Sequence, residues 1–336
     1  MKRDTKRDAE RADEFALIAK YFAPLAASMP GAAGLGNDGA TFAPPPGRDI
    51  VVTVDALTEG VHFLADDPPG DIARKMLRVN LSDLAAMGAR PVGYVMTTAL
   101  SDRVDEAWIA AFTAGLATDQ QEFGIGLLGG DTTSTPGPTA LTVTAFGEVP
   151  AGHVLLRSGA SAGDLVMVSG AIGDGALGLM ALRGELGDLA EADRAALAQR
   201  YRLPEPRLAL GAALLERDLA TAAIDVSDGL VADLGHIAKQ SGLAAEIRAA
   251  RVPLSEATRH AVEADADLLP RVLTGGDDYE LLFTVAPPMC DSVQALGRKL
   301  GLPIAEIGVM KGGQSVQMLD RAGKPIELGR TGWQHR

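Results

Sequence analysis

Eight aspartates in this 336-residue chain keep unusual company. Asp38, Asp55, Asp83, Asp131, Asp225, Asp228, Asp277 and Asp278 read as lying at strand ends or in glycine-rich turns, among apolar or small neighbours, as in Val-Thr-Val-Asp55 and Gly-Gly-Asp131. An isolated carboxylate near a core is costly to keep charged, so such groups are normally paired or metal-bound. For any single one the ordinary role is a helix N-cap or an Asx turn. Ser82 or Asp83 suits a cap, as does Ser227 or Asp228. Capping does not account for the whole set, because Asp55, Asp131 and Asp225 read as the ends of strands. Asp225, Ser227 and Asp228 offer three side-chain oxygens over four residues. An oxygen-only donor set, in a chain with 5 His and 1 Cys, selects a hard cation: Mg²⁺ rather than Zn²⁺. Several carboxylates around Mg²⁺, beside glycine loops, point to polyphosphate chemistry.

The glycine loops need a separate reading. G-x-G-x-x-G occurs from Gly34, from Gly124 and from Gly173. A dinucleotide fingerprint needs a strand before it, a helix after it and an acidic residue at the end of a second strand. The Gly34 match runs into Pro44-Pro45-Pro46, and the Gly124 match contains its own strand. The Gly173 match has the strand and the helix but no second strand, which leaves a strand-to-helix turn where an anion can sit at a helix N-terminus. No G-x-x-x-x-G-K-[ST] loop is present. Arg157-Ser158-Gly159 offers a phosphate clamp or, equally, a solvated linker arginine. No nucleophilic triad emerges, and only His62, in Glu59-Gly60-Val61-His62-Phe63, lies beside a candidate motif. The lack of a base fits a phosphate acceptor. Its second pKa of about 6 leaves it mostly deprotonated at pH 7, so attack needs positioning and charge neutralisation.

The elements that must position these residues follow from periodicity. Helices are expected over residues 13–21, 71–87, 105–122, 175–183, 208–217, 229–241 and 291–300, with a polar, Ala-rich helical stretch ending near Arg202. Strands are expected over residues 50–54, 93–100, 125–128, 141–149, 164–169, 221–225, 280–285 and 304–309. The alternation argues for α/β or α+β layers in both halves. The stretch from Pro150 to Ala162 is the best boundary. It gives a charged extension over residues 1–13, an N-terminal domain over 14–150 and a C-terminal α/β domain over 151–336. Short words recur in one order: Asp38-Gly39-Ala40, Ser82-Asp83 and Gly129-Gly130-Asp131, then Asp174-Gly175-Ala176, Ser227-Asp228 and Gly275-Gly276-Asp277. Duplication and chance recurrence both produce such a pattern.

Composition sets the outer limits. Lys+Arg 31 against Asp+Glu 44 gives a net charge of −13, which argues against a nucleic-acid partner. A single cysteine, Cys290, rules out an internal disulfide framework and a multi-thiolate zinc site. No apolar run approaches the ~18 residues of a membrane span. The mixed-charge N-terminus lacks the apolar stretch of a secretory signal. A cytoplasmic protein is expected.

These residues resemble a known family: thiamine-monophosphate kinase, in the superfamily of aminoimidazole-ribotide synthetase and selenophosphate synthetase. The matching words are Gly36-Asn37-Asp38-Gly39-Ala40, Thr53-Val54-Asp55 with Glu59-Gly60-Val61-His62-Phe63, Asn80-Leu81-Ser82-Asp83-Leu84-Ala85-Ala86-Met87-Gly88, Gly129-Gly130-Asp131-Thr132-Thr133, Arg157-Ser158-Gly159-Ala160, Ile224-Asp225-Val226-Ser227-Asp228-Gly229-Leu230, Gly275-Gly276-Asp277-Asp278-Tyr279-Glu280-Leu281 and Gly332-Trp333. The resemblance implies a two-domain α/β (α+β) fold, with N-terminal sheets of two subunits forming a barrel in a homodimer. It implies transfer of the γ-phosphoryl group of ATP to thiamine monophosphate. It implies several Mg²⁺ ions on Asp38, Asp55, Asp83, Asp131, Asp225, Asp228 and Thr53, and it leaves room for a monovalent cation. ATP would meet Gly130, Asp131, Arg157 and Ser227. Thiamine monophosphate would meet His62, Asp277 and Trp333, whose aromatic face suits a cationic thiazolium. Three residues depart from the family pattern: Asn37 for Asp, Val54 for Thr and Asp277 for Glu. Two other readings stand beside this one. One is a superfamily synthetase acting on an amidine or a selenide; the selenide branch typically uses an N-terminal Cys or Sec, which Cys290 does not supply. A non-catalytic ion-binding relative has only the Asn37 and Val54 changes in its favour.

Overall fold

The structure is a computed structural model and describes residues 14–329 and residue 332. The expected extension over 1–13 and Trp333 lie outside the described residues. The chain divides into two compact units: Met1–Pro45, Val54–Leu77 and Pro91–Phe146 form one, and Pro46–Thr53, Arg78–Arg90 and Gly147–Arg336 form the other.

In chain order, the first elements are α1 (Glu14–Leu17), which runs into a π-helical turn over Ile18–Phe22, then β1 (Arg48–Thr58), α2 (Pro69–Ala86), β2 (Arg90–Leu100), α3 (Glu106–Phe123), β3 (Gly126–Ser134) and β4 (Ala140–Pro150). The four strands form one sheet in the order β1-β4-β2-β3. The alternation of Leu141, Val143 and Ala145 with Thr142 and Thr144 does what period two demands: the apolar set is fully buried. Helix α3 starts where expected because the Asp105 side chain accepts the Trp108 N–H at 2.8 Å, and it ends on Gly124 at φ +67°.

Two strands outrun their sequence expectation. β1 continues past Asp55 to Thr58, and β3 continues through Gly129-Gly130-Asp131 to Ser134. Asp55 and Asp131 are therefore mid-strand residues, not strand ends. The β3 extension is possible because β3 lies parallel to β2, with Gly130 opposite Met96. A Cβ on Gly130 would stand 2.0 Å from the Met96 carbonyl oxygen.

The remaining elements are β5 (Leu165–Ser169), α4 (Asp174–Leu182), α5 (Glu191–Arg202), α6 (Leu208–Glu216), β6 (Ala222–Asp225), α7 (Leu230–Ser241), β7 (Ala244–Arg248), α8 (Glu256–Ala264), α9 (Leu269–Thr274), β8 (Leu281–Val285), α10 (Cys290–Leu300), β9 (Ile304–Lys311) and β10 (Val316–Leu319). The strands form a mixed sheet ordered β10-β7-β9-β5-β8-β6. β6 and β8 are buried along their whole length. The reason is a helical layer on each face. Val166, Val168, Ile224 and Leu282 pack with Leu230, Leu234 and Ile237 of α7. Met167, Ala223 and Phe283 pack with Leu210 and Leu214 of α6 and with Val293 and Leu296 of α10. Adjacent strand residues thus face opposite layers. β7, β10, α8 and α9 are additional to the elements expected from the sequence.

The recurring words occupy unlike structures. Gly129-Gly130-Asp131 lies in a strand, whereas Gly275-Gly276-Asp277 lies in a loop. Ser82-Asp83 lies in the last turns of α2, whereas Ser227-Asp228 precedes α7. The recurrence is of words, not of positions in a repeated fold.

Candidate functional site

In the first unit, Asp38, Gly130 and Asp131 line one pocket of about 170 Å³. Asn37, Gly129 and Thr132 complete its polar side; Phe22, Leu35, Met96 and Leu127 are among its apolar walls. Asp38 and Asp131 are both exposed. Asp131 stands opposite Thr97 in the β2–β3 ladder, and the Thr98 hydroxyl donates to Thr132 at 3.3 Å. One polar rim with an apolar wall suits a molecule with a charged end and a flat or greasy end. His62 is not among the residues lining this pocket. Its Nδ1 accepts the Thr58 N–H at 3.0 Å, so the neutral ring carries its proton on Nε2.

In the second unit, six predicted residues come together. Helix α2 presents Ser82 and Asp83 in succession. The Thr53 hydroxyl donates to Asp83 Oδ2, and the Ser82 hydroxyl donates to Asp225 Oδ2 at 2.7 Å in a buried setting. On β1, Thr53 and Asp55 share the face of buried Val51 and Leu57, while Val52 and Val54 take the other. Asp225 closes β6, as expected, and leads directly into Ser227, Asp228 and Gly229. The loop Gly275–Glu280 runs along this segment: Asp277 N–H donates to the Ser227 carbonyl and Tyr279 N–H to the Val226 carbonyl, each at 2.8 Å. Gly276, at φ +72°, makes this approach possible, since a Cβ would lie 2.2 Å from the Ser227 oxygen. Asp277 and Tyr279 adopt positive φ of 67° and 54°, a conformation that costs about 1–3 kcal/mol each and is held only by surrounding structure. Gly332 also returns here, next to Asp228 and Ala232. Arg157 is exposed, one residue beyond Leu156, whose carbonyl accepts the Ala223 N–H of β6.

Three buried carboxylates shape these loops. Glu280, fully buried, pairs with Arg207 at 2.6 and 2.7 Å and with Arg200 at 3.1 Å, and accepts the Ser169 hydroxyl at 2.6 Å. Asp278 accepts the Gly173 and Gly175 N–H groups at 2.9–3.0 Å. The helix N-terminus read from the sequence as an anion site is thus filled by the protein's own carboxylate. Burial, opposed by these N–H groups and helped by Asp174 and Glu280, pushes the Asp278 carboxyl well above the ordinary range. Asp233, in the first turn of α7, accepts the N–H groups of Ser227, Asp228 and Gly229. Burial first, then the charges of Asp225 and Asp228, push its carboxyl up in the same sense. An oxygen or nitrogen from each of Asp228, Asp233 and His236 falls within 4.8 Å of the others. The sequence reading gave Ser82, Asp233 and Glu280 no role in building the site. Ser82 was legible only as a cap, and Asp233 looks like any polar residue early in a helix.

Comparison with known proteins was decisive for the family. Residues 36–149 match the family model described as AIR synthase related protein, N-terminal domain, and residues 161–321 match AIR synthase related protein, C-terminal domain. The chain is 42% identical over 325 residues to the thiamine-monophosphate kinase of Caulobacter vibrioides, covering 96% of this chain and 90% of that one. The chain belongs to the thiamine-monophosphate kinase family. The crystal structure of thiamine-monophosphate kinase from Stenotrophomonas maltophilia K279a is 42% identical with a TM-score of 0.81, covering 93% of this chain and 98% of that one. AaThiL complexed with AMPPCP and TMP is 30% identical with a TM-score of 0.77, covering 90% of this chain and 91% of that one. The mixed α/β architecture expected from the sequence is the architecture of this family.

Proposed function

We infer that this chain transfers the γ-phosphoryl group of ATP to thiamine monophosphate, yielding thiamine diphosphate and ADP. The observation that carries the reading is full-length similarity to thiamine-monophosphate kinases, one of them a complex with AMPPCP and TMP. The oxygen-rich cluster supports it chemically. A terminal oxygen of the acceptor phosphate forms the new P–O bond while the β–γ bridge bond of ATP breaks, and ADP leaves with those electrons. No side chain need remove a proton, because the acceptor oxygen is already ionised near neutral pH.

The donors suit hard cations. Carboxylates of Asp83, Asp225 and Asp228 with the hydroxyls of Thr53 and Ser227 form an all-oxygen set, and Asp38, Asp55 and Asp131 are proposed as metal ligands as well. Mg²⁺ ions, when bound, would neutralise charge on the two phosphate-bearing molecules. The chain's own groups supply the rest. Gly130, Asp131, Arg157 and Ser227 hold ATP. His62, Asp277 and Trp333 meet thiamine monophosphate. A monovalent cation stays a further candidate. Two domains over 14–150 and 151–336, a homodimer and a cytoplasmic location belong to the same proposal. Among the described residues no helix is long and apolar enough to cross a membrane.

The test is coupled detection of ADP release. Release is expected only when both ATP and thiamine monophosphate are present, and EDTA should abolish it, with excess Mg²⁺ restoring it. Turnover that survives chelation would refute the metal assignment. The absence of turnover with added Mg²⁺ would refute the kinase.

A further inference from the structure

We propose that Asp233 is a positioning residue for this kinase site: its carboxylate sets the backbone of Ser227, Asp228 and Gly229 and so fixes where the Asp228 carboxylate and the Ser227 hydroxyl stand. The proposal rests on the kinase reading above. Three consecutive backbone N–H groups converge on one oxygen, Asp233 Oδ2, at 3.1, 3.1 and 3.0 Å. The residue is 2% exposed. Its position explains why the sequence allows this. Helix α7 begins after Gly229, which has φ +125° and no side chain with which to cap the helix. Asp233, one turn inside, instead reaches back past the helix start to the N–H groups of Ser227, Asp228 and Gly229. The same segment is closed in from other directions by main chain. A Cβ on Gly229 would lie 2.7 Å from the Thr274 carbonyl oxygen, and one on Gly276 would lie 2.2 Å from that of Ser227. The segment is therefore gripped by backbone from the Gly275–Glu280 loop and by a single carboxylate from α7.

A chemical consequence follows. Successive N–H groups at a helix start ordinarily make an anion nest. Here the nest is filled from within, so a phosphate cannot use those donors. It must be met through the side chains of Ser227 and Asp228, and Asp228 attracts a phosphate only by way of a cation. Asp233 thus commits this loop to metal-mediated binding. A helix cap alone would contribute to stability and leave the chemistry untouched.

The experiment compares the full-length wild type with Asp233→Ala and Asp233→Asn. Three readouts are used: amide hydrogen exchange at residues 227–229, Mn²⁺ binding by paramagnetic resonance, and kcat with KM for thiamine monophosphate. In Asp233→Ala the three amides should exchange about tenfold faster or more. Mn²⁺ should bind about tenfold more weakly and kcat should fall about 10–100-fold, with KM for thiamine monophosphate within about twofold. Asp233→Asn keeps an acceptor oxygen but sets an NH2 donor where the second carboxyl oxygen stood, so the three hydrogen bonds are only partly kept and about threefold weaker Mn²⁺ binding is expected. Wild-type Mn²⁺ affinity and kcat in a folded Asp233→Ala variant overturn the proposal. If that variant does not fold, the same outcome in Asp233→Asn overturns it. A wild type that releases no ADP defeats the kinase reading instead, while the exchange and Mn²⁺ readouts still judge Asp233.

Discussion

Asp131 and Asp228 make the sharpest residue-level comparison. Each belongs to a different local cluster: Asp131 to the pocket beside Gly130, and Asp228 to the loop held against Gly275–Glu280. Both are proposed metal ligands, and at each an isosteric amide removes charge and leaves shape. Asp131→Asn and Asp228→Asn should each lower kcat by about 10²-fold or more, with thermal stability close to wild type. The check is steady-state ADP release at saturating ATP, thiamine monophosphate and Mg²⁺. Full turnover in either variant removes that residue from the metal set. His62 illustrates how much a single hydrogen bond adds at this scale. The sequence offers a histidine near a motif; the Thr58 N–H on Nδ1 fixes the tautomer of its neutral ring.

At the scale of elements, two short features decide how loops are held. The first is the close β2–β3 approach at Gly130. A methyl group placed 2.0 Å from the Met96 carbonyl oxygen cannot be absorbed by a rotamer change, because the obstacle is backbone. Gly130→Ala should push β3 off β2 and deform the pocket rim. A loss of about 1–3 kcal/mol in unfolding free energy and a higher KM for ATP are expected, read by urea denaturation and kinetics. The second is the buried Asp278 carboxyl at the start of α4. Its folded pKa lies above the ordinary carboxylate value of about 3.9. Between those two values the folded state holds a proton that the unfolded state has released, so this group's contribution to stability falls as pH rises through the window. Asp278→Asn keeps an acceptor for Gly173 and Gly175 and has nothing to titrate. The stability of the variant minus that of the wild type should therefore increase as pH is raised from about 4. A difference that stays flat with pH would contradict the raised value. Much of this scale was readable beforehand. Helices α2, α3, α7 and α10 and strands β4, β5 and β8 follow from periodicity, because their burial patterns are regular. β3 was cut short because two glycines and an aspartate spell a turn, and only pairing with β2 reveals them as strand. β7 and β10 are short, and their pairing with each other lies far apart in the chain. Asp233 was invisible for a related reason: its partners, three main-chain N–H groups, have no sequence signature.

At the scale of the whole molecule, the sheet order places β1 at one edge. Edge strands usually carry charges, prolines or a covering segment that discourage pairing with another chain. From Ile50 to Ala56 the only charged residue of β1 is Asp55, which lies on the same face as Thr53. The opposite face carries Val52 at 56% exposure and Val54 at 60%. Branched apolar residues left in water at an edge are an invitation to a second copy, and the homodimer proposed above is predicted to pair through this edge. Light scattering should therefore report twice the chain mass at micromolar concentration, and Val52→Lys with Val54→Lys should bring it to one. The alternation of the strand makes the test clean. Both lysines enter on the face away from Thr53 and Asp55, so the proposed metal ligands keep their side of β1. Val51 and Leu57 keep theirs in the core, and the fold should survive. A double variant that remains dimeric would place the interface elsewhere. A wild type that is monomeric at every concentration would remove the homodimer from the proposal while leaving the kinase chemistry to be judged by its own assay.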